Sequence, residues 1–239
     1  MVNEAFVKDG EPGCAWPKIY AKWRASKLGA LTDRLERDLI LDLLGDVAGR
    51  DVLDVGCGDG DLAITLWERH GRVSGIDAST AMIEAARARA QARSADINFE
   101  IARAEQLPFP AARFDVVAAV TILCFVKDAT GVFREMARVL RPGGRLVIGE
   151  LGKWSTWAAA RRVRGWLGSP VWREGRFRTA GELRALAEQA GLAVESVRGA
   201  VYYPRFGPLA RVMAPADARL GRWTTKGAAF LALSATKVG

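Results

Sequence analysis

The sequence predicts an α/β fold: an open, mostly parallel sheet with helices on both faces. Three observations predict it. Val52–Val55 reads as a short buried strand, followed by Gly56, Gly58 and Gly60 and then by a helix that opens at Asp61, with Leu62, Leu66 and Trp67 on or near one face. Arg72–Asp77 reads as a second strand ending in an acid, 17 residues after Gly60. Phe114–Val120 is a near-continuous apolar run, as a strand buried on both faces should be. Strands alternating with helices at this spacing give parallel pairing.

The loop between the first strand and helix has its own chemistry. Its spacing is G-x-G-x-G, whereas a dinucleotide loop would place its third glycine at position 61, which here is Asp61. It holds no phosphate-loop Lys-Ser/Thr pair. Gly56, Cys57 and Gly58 present backbone N–H groups and the positive end of a helix to a ligand. Missing Cβ atoms let that ligand lie against the backbone. Asp54, just before the loop, offers an acceptor for a cationic amine and disfavours a pyrophosphate by like-charge repulsion. An ordinary strand-to-helix turn is the competing reading. Asp77, with Ala78 after it, falls at the carboxyl edge of the neighbouring strand, where a carboxylate can accept both hydroxyls of a ribose. Such a charge-assisted pair contributes about 1.5–3 kcal/mol. Alone, Asp77 reads equally well as part of a helix start near Ser79; the glycine loop at this distance favours the ribose.

Taken as a set, five stretches resemble the motifs of class I S-adenosylmethionine-dependent methyltransferases, in the broad ubiquinone/menaquinone C-methyltransferase-like (methyltransferase type 11) group. They are Val52–Gly60, Gly75–Asp77, Ala102–Pro110, Phe114–Val126 and Arg138–Ile148. The resemblance covers roughly residues 45 to 150. It implies a Rossmann-like sheet of seven strands, mostly parallel, with an antiparallel last strand. It also implies S-adenosylmethionine as cofactor, S-adenosylhomocysteine as product, and an acceptor of unknown identity. The expected organisation is an N-terminal arm and cap helices over 1–44 and a methyltransferase domain over 45–239. Within that domain, 151–178 is a Trp-rich lid inserted after strand five.

In chain order, residues 1–16 read as a polar arm and Pro17–Ser26 as a helix, with Pro17 suited to its first turn. Tyr20 and Trp23 share a face at i, i+3. In the resembled family a helix here covers the cofactor, which makes Tyr20, Trp23 and Arg24 candidates for the methionine end or the acceptor; aromatic packing alone is equally open. Leu31, Leu35, Leu39 and Leu43 mark an amphipathic helix on the sheet. A helix over Thr80–Arg93 puts Met82 near the ribose acid, either against an adenine face or in the core. Ile97–Ala102 is the third strand. The resembled family has an Asp at position 103 that accepts from the adenine amino group. Here Arg103 has no acceptor, so the Ala104 backbone and Glu105 take over adenine recognition or the contact is missing. Thr121 ends the fourth strand at the ligand edge, and Thr121–Phe125 should line the meeting point of cofactor and acceptor. Cys124 is a thiol near the acceptor or a small buried apolar residue. Ala129–Leu140 is a helix, Pro142–Gly144 a turn into strand five, and Glu150, at that strand's end, the best-placed carboxylate near the acceptor.

Residues 151–178 are the most individual part. Trp154, Trp157, Trp166 and Trp172 fall there among Lys153, Arg161, Arg162, Arg164, Arg173, Arg176 and Arg178. Trp157, Ala160, Val163 and Trp166/Leu167 form an apolar stripe at helical spacing. One reading packs it on the domain as a lid, with Trp154 toward the acceptor; the other lays a basic amphipathic helix on anionic membrane. Thr179–Glu182 is a capping box opening a helix that Gly191 closes. Leu192–Tyr202 and Ala228–Lys237 read as the last two strands, an antiparallel pair. Tyr202 and Tyr203 stand at a strand end that could face the acceptor, and a short helix lies around Leu209–Met213.

Composition narrows the function. The 239 residues are half hydrophobic, which argues against disorder. Ala228–Leu233 is too short to span a bilayer, and Met1–Gly10 lacks an apolar leader core. Three widely spaced cysteines suggest neither a disulfide framework nor a metal site, which fits a reducing cytoplasm. The net charge of +8 comes with no interleaved basic and aromatic pattern in the 45–150 window, so nucleic acid is not expected. The single histidine, His70, falls late in the helix after the glycine loop, away from the ligand edge. No general base is required if the acceptor is an amine, thiolate or phenolate. Three functions remain at this stage: a small-molecule methyltransferase, a membrane-associated lipid or quinone methyltransferase, and a non-catalytic cofactor-binding or interaction module.

Overall fold

A computed structural model describes residues 16–173 and 175–239. The expected N-terminal arm lies almost wholly outside the described residues, as does the side chain of Tyr20. Two helices come first, α1 (Trp16–Ala25) and α2 (Lys27–Leu44), separated by Ser26, whose hydroxyl accepts the Gly29 N–H at 3.0 Å as the cap of α2. Alternating elements follow: β1 (Asp51–Val55), α3 (Asp61–Glu68), β2 (Arg72–Asp77), α4 (Thr80–Gln91), β3 (Asn98–Ile101), β4 (Phe114–Val120), α5 (Ala129–Val139) and β5 (Leu140–Leu151). After them come α6 (Thr156–Trp166), α7 (Pro170–Arg173), α8 (Ala180–Gln189), β6 (Leu192–Ala200), α9 (Gly207–Trp223) and β7 (Phe230–Lys237).

The seven strands form one sheet in the order β3-β2-β1-β4-β5-β7-β6. All neighbours pair in parallel except β7, which runs antiparallel to both β5 and β6. The expected sheet is thus present, with its reversed last strand inserted between β5 and β6. Period-two alternation sends successive side chains to opposite faces. Val52, Val116, Ala118 and Val147 join a core with α2, α3 and α4, while Leu53, Val117, Ala119 and Ile148 join a second core with α5 and α8. Arg141–Gly144 fall between the pairs Phe114↔Leu140 and Val116↔Arg145, so the Pro-Gly-Gly turn bulges out of the β4–β5 ladder.

Two expectations need correcting. The helix expected around Leu209–Met213 runs from Gly207 to Trp223, straight through Pro215. Proline removes one donor and normally ends a helix. Here the burial of Ala210, Asp217 and Gly221 along one stripe outweighs that, and a Cβ on Gly221 would meet the Gly199 carbonyl at 2.0 Å. The helix therefore lies hard against β6. The apolar stripe of α6, open to packing on the domain or to lying on a membrane, is also split. Trp157 is buried, but Trp166 is 83% and Leu167 81% exposed. The inward face runs instead through Trp157, Ala158 and Gly165, and a Cβ on Gly165 would meet the Trp172 carbonyl at 2.6 Å.

Candidate active site

The candidate site lies at the carboxyl ends of β1, β2, β4 and β5. After Val55 the chain turns through Gly56, Gly58 and Gly60 with φ of 72°, 55° and 77°, a region where L side chains are strained. Gly56 and Cys57 N–H both donate to the Ile76 carbonyl at 2.8 Å, which pins the loop to the end of β2. The three glycines differ in what surrounds them. A Cβ at Gly56 would meet Ile122 at 2.7 Å and one at Gly60 would meet Ala86 at 3.0 Å, but a Cβ at Gly58 would meet nothing within 4 Å. The backbone at Gly58 is the open one. Cys57 is a buried thiol whose Sγ lies 3.8 Å from the Gly58 carbonyl; burial pushes its pKa up, so it is a neutral packing group.

Asp77 closes this loop from the next strand. One carboxylate oxygen accepts the Gly58 N–H at 3.0 Å and the other accepts the Ser79 N–H at 2.8 Å. Ser79 then caps α4 on Met82, which is half-buried. Asp77 serves loop and helix start together, and burial raises its pKa against those N–H bonds. The Ala102 N–H donates to the Asp77 carbonyl at 3.1 Å, which brings the segment through Ala104 and Glu105 alongside. Ala104 is buried, and the Glu105 carboxylate pairs with Arg103 at 3.2 Å.

Asp54 is 2% exposed, and its Oδ2 has no donor among the described residues. Burial pushes its pKa up to about 7, helped by the charges of Asp77 and Asp61 and opposed by the Ala63 N–H. A buried carboxylate oxygen without a donor costs free energy until something positive or hydrogen-bonding reaches it. Beside the open Gly58 backbone, it suits the cationic end of a bound nucleoside.

Thr121, at the end of β4, has φ of 56°, which is unusual for a β-branched residue, and its N–H donates to the Gly149 carbonyl at 2.7 Å. That turn delivers Cys124 and Glu150 to one place. Glu150 is fully buried; its Oε1 takes its neighbour's Leu151 N–H at 2.7 Å, and its Oε2 has no partner. Burial lifts its pKa to about 7, against the Leu151 N–H and the Arg178 charge, while the Cys124 thiol donates to the Thr121 carbonyl at 3.7 Å. The Cys124 thiol stays protonated, its pKa raised first by burial and then by Glu150.

The segment after β5 is fastened beside this pair. Gly152 and Arg178 form a parallel bridge, so the excursion from 153 to 177 leaves and returns at one point. Trp157 packs edge-on against Trp23 with centroids 5.9 Å apart and donates its ring N–H to the Tyr203 carbonyl at 2.7 Å. Trp23, Trp157 and Tyr203 thus join α1, α6 and the chain just past β6. Tyr202 instead donates its hydroxyl to the Thr224 carbonyl beyond α9. Trp154 stands 67% exposed with Lys153 over its ring at 5.7 Å. Neither is brought to the Cys124–Glu150 pair. His70 is exposed just past α3.

Sequence reasoning missed an ion-pair network around the loop. Arg24 pairs with Asp59 and Asp61, Arg37 with Asp61, and Arg89 with both acids, which ties α1, α2 and α4 to the start of α3. Two acids flanking the glycines were a visible signal. Their three arginines lie 24 to 37 residues away in sequence, and no local pattern joins them.

Among the described residues, no group of His, Cys, Asp and Glu could hold a metal ion, and no helix is long and apolar enough to cross a membrane. Residues 53–148 match the methyltransferase-domain family. The chain is similar to the 27-O-demethylrifamycin SV methyltransferase of Amycolatopsis mediterranei, 44% identical over 50% of this chain and 43% of that protein. It is also similar to the ubiquinone biosynthesis O-methyltransferase of Idiomarina loihiensis, 30% identical over 66% of this chain and 68% of that protein. Across the first curated relatives it matches, the chain spans about half of their length. Its fold follows the crystal structure of a SAM-dependent methyltransferase, a possible histamine N-methyltransferase, from Thermotoga maritima. The TM-score is 0.69 at 21% identity, covering 95% of this chain and all of that one. With the glycine loop, the strand-end acid and the seven-stranded sheet in place, these likenesses mean that the chain belongs to the S-adenosylmethionine-dependent methyltransferase family.

Proposed function

We propose that the chain transfers a methyl group from S-adenosylmethionine to a hydroxyl of a small-molecule acceptor. The observation that carries the cofactor half is the unpartnered, buried Asp54 Oδ2 beside the open backbone of Gly58 and the Asp77 carboxylate. In this reading Asp54 faces the cationic methionine end, the 56–58 backbone lies under the nucleoside, and Asp77 and Ala78 meet the ribose. Met82, Ala104 and Glu105 border the base, and Thr121 borders the reacting centre. The cofactor supplies a methyl already activated on a sulfonium. The protein's task is alignment, which can supply about 7–11 kcal/mol.

The acceptor half rests on Glu150. A buried carboxyl with pKa near 7 and one free oxygen can hold a hydroxyl and take its proton as the new O–C bond forms. Two similar proteins carry O-methyltransferase chemistry in their names. Trp23 and Trp157 pack edge-on between α1 and α6, and Cys124 lies close enough to Glu150 for the two groups to interact. Release of S-adenosylhomocysteine, measured over a panel of phenols, alcohols and amines, tests this. Turnover on hydroxyl acceptors, with kcat reduced ~10²-fold or more in Glu150→Gln, supports it. Turnover confined to amines, or unaffected by Glu150→Gln, removes the hydroxyl assignment.

A second reading rests on the exposure of Trp154, Trp166 and Leu167. It sets residues 153–178 against an anionic membrane and makes the acceptor lipid-soluble. Dependence of turnover on added lipid extract would separate it from the first.

A further inference from the structure

The charge of this chain is concentrated in one place. Residues 153–178 carry seven Lys/Arg against one acid, and residues 204–226 carry five against one. Those 49 residues hold a net +10, so the remaining 190 sum to −2. The exposed apolar side chains follow the same division. Of the eleven large hydrophobic residues exposed among the described residues, nine lie between Trp154 and Leu167 or between Phe206 and Trp223.

The two segments adjoin. The Arg205 guanidinium sits over the Trp157 ring at 5.1 Å, and its pKa is lowered first by burial and then by Arg164 and Arg161. At the other end, Lys153 and Trp154 line one cleft with Thr225 and Lys226.

The helix α9 gives this surface its form. Ala210, Asp217 and Gly221 face inward. Leu209, Val212, Ala216 and Trp223 recur at helical spacing on the other side, with Val212 76% and Trp223 89% exposed. Arg211, Arg219 and Arg222 are exposed on the same helix. Its single acid, Asp217, is buried and accepts the Val201 and Tyr202 N–H groups at 2.9 and 3.0 Å. The outer surface of α9 therefore carries arginines, aliphatic groups and a tryptophan, with no carboxylate. That is the make-up of a helix lying in the headgroup layer of an anionic membrane.

We infer that α9, with the C-terminal half of α6, is a docking face for an anionic lipid bilayer. The inference extends the membrane reading of residues 153–178 to a helix outside that segment, and it holds whether or not the chain methylates a hydroxyl. Two other occupants fit less well. A second copy would bring the exposed Arg211, Arg219 and Arg222 against their own counterparts, with like charges opposed across a two-fold interface. Single-stranded nucleic acid takes stacking aromatic platforms between cations, whereas five of the nine exposed hydrophobic residues here, Val163, Leu167, Leu209, Val212 and Leu220, are aliphatic.

The test is co-sedimentation of the full chain with phosphatidylglycerol/phosphatidylcholine vesicles and with phosphatidylcholine vesicles alone, at about 0.1 M salt. Calorimetric S-adenosylmethionine binding in the same preparations reports folding and the cofactor site separately. Binding to the anionic vesicles alone is expected. Replacing Arg211, Arg219 and Arg222 by Gln should weaken partitioning at least ~10-fold, and Trp166→Ser with Trp223→Ser should weaken it comparably, with cofactor affinity unchanged. Brominated lipid should quench the tryptophan fluorescence of the unmodified chain. The inference is overturned if the chain stays in the supernatant while still binding cofactor. Equal binding to both vesicle types, binding indifferent to both variants, or a stable dimer or RNA complex in place of vesicle binding would overturn it as well.

Discussion

Asp77 and Gly58 are held together across the β1–β2 boundary: the aspartate Oδ2 accepts the glycine N–H at 3.0 Å, so the strand-end acid and the open loop backbone are tied to each other. Asp77→Ala should then have two effects. Cofactor affinity should fall at least ~10-fold, a loss of about 1.4 kcal/mol. The Gly58 and Ser79 N–H groups also lose their acceptor, which should lower stability by about 1–3 kcal/mol. Calorimetry reads the first and thermal unfolding the second.

Asp54 predicts a pH dependence. Its carboxyl titrates near pH 7 in the folded chain against a usual 3.8. Between those values the folded form holds a proton that the unfolded form has released, so this group's contribution to stability declines as pH rises from about 4 to about 7. A cationic ligand favours the ionised form. Cofactor affinity should therefore be about tenfold higher at pH 8 than at pH 6. Binding below pH 7 should release a proton, seen as a buffer-dependent heat in calorimetry. Asp54→Asn should flatten the profile and lower the affinity.

Thr121 holds a φ of 56° at the ligand edge of β4. Such a conformation costs a β-branched residue about 1–3 kcal/mol. Thr121→Gly should relieve it and raise the melting temperature by about 2–4 °C per kcal/mol gained. Turnover should fall, because the turn that sets Cys124 and Glu150 becomes free to move. A variant that is stabilised and fully active would show that the strain has no part in the chemistry.

Trp157 joins α6 to α1 and to the chain just past β6. Trp157→Ala removes a buried ring, leaves the Tyr203 carbonyl without its 2.7 Å donor and strips the ring from Arg161 and Arg205. A cost of about 3–5 kcal/mol is expected. Hydrogen exchange should localise it to α6 and the residues around Tyr203, leaving β1–β4 protected.

The cofactor half of the fold was legible because its signals are local. Glycines at 56, 58 and 60 can turn where other residues strain, and a strand ending at Asp77 needs only its neighbour in register to reach them. The Thr179–Glu182 capping box was readable for the same reason and forms with both reciprocal bonds. What the sequence hid depends on distant partners. Pro215 is a local stop signal, overridden by the packing of Gly221 on Gly199. Asp59 and Asp61 find arginines from three other helices. Helical spacing alone could not tell that Trp157 turns inward while Trp166, nine residues on, faces out. Tyr203 meets Trp157 of α6 and Tyr202 packs under α9 because β6 ends at Ala200 and Val201 adopts a φ of 63°.

The central claim is that S-adenosylmethionine lies against Gly58 between Asp54 and Asp77. A crystal structure of the chain with S-adenosylhomocysteine tests it most directly. The account predicts both ribose hydroxyls within hydrogen-bonding distance of Asp77 and the amino group on the side of Asp54. A nucleoside bound elsewhere, or Asp77 rotated away from the sugar, would contradict it.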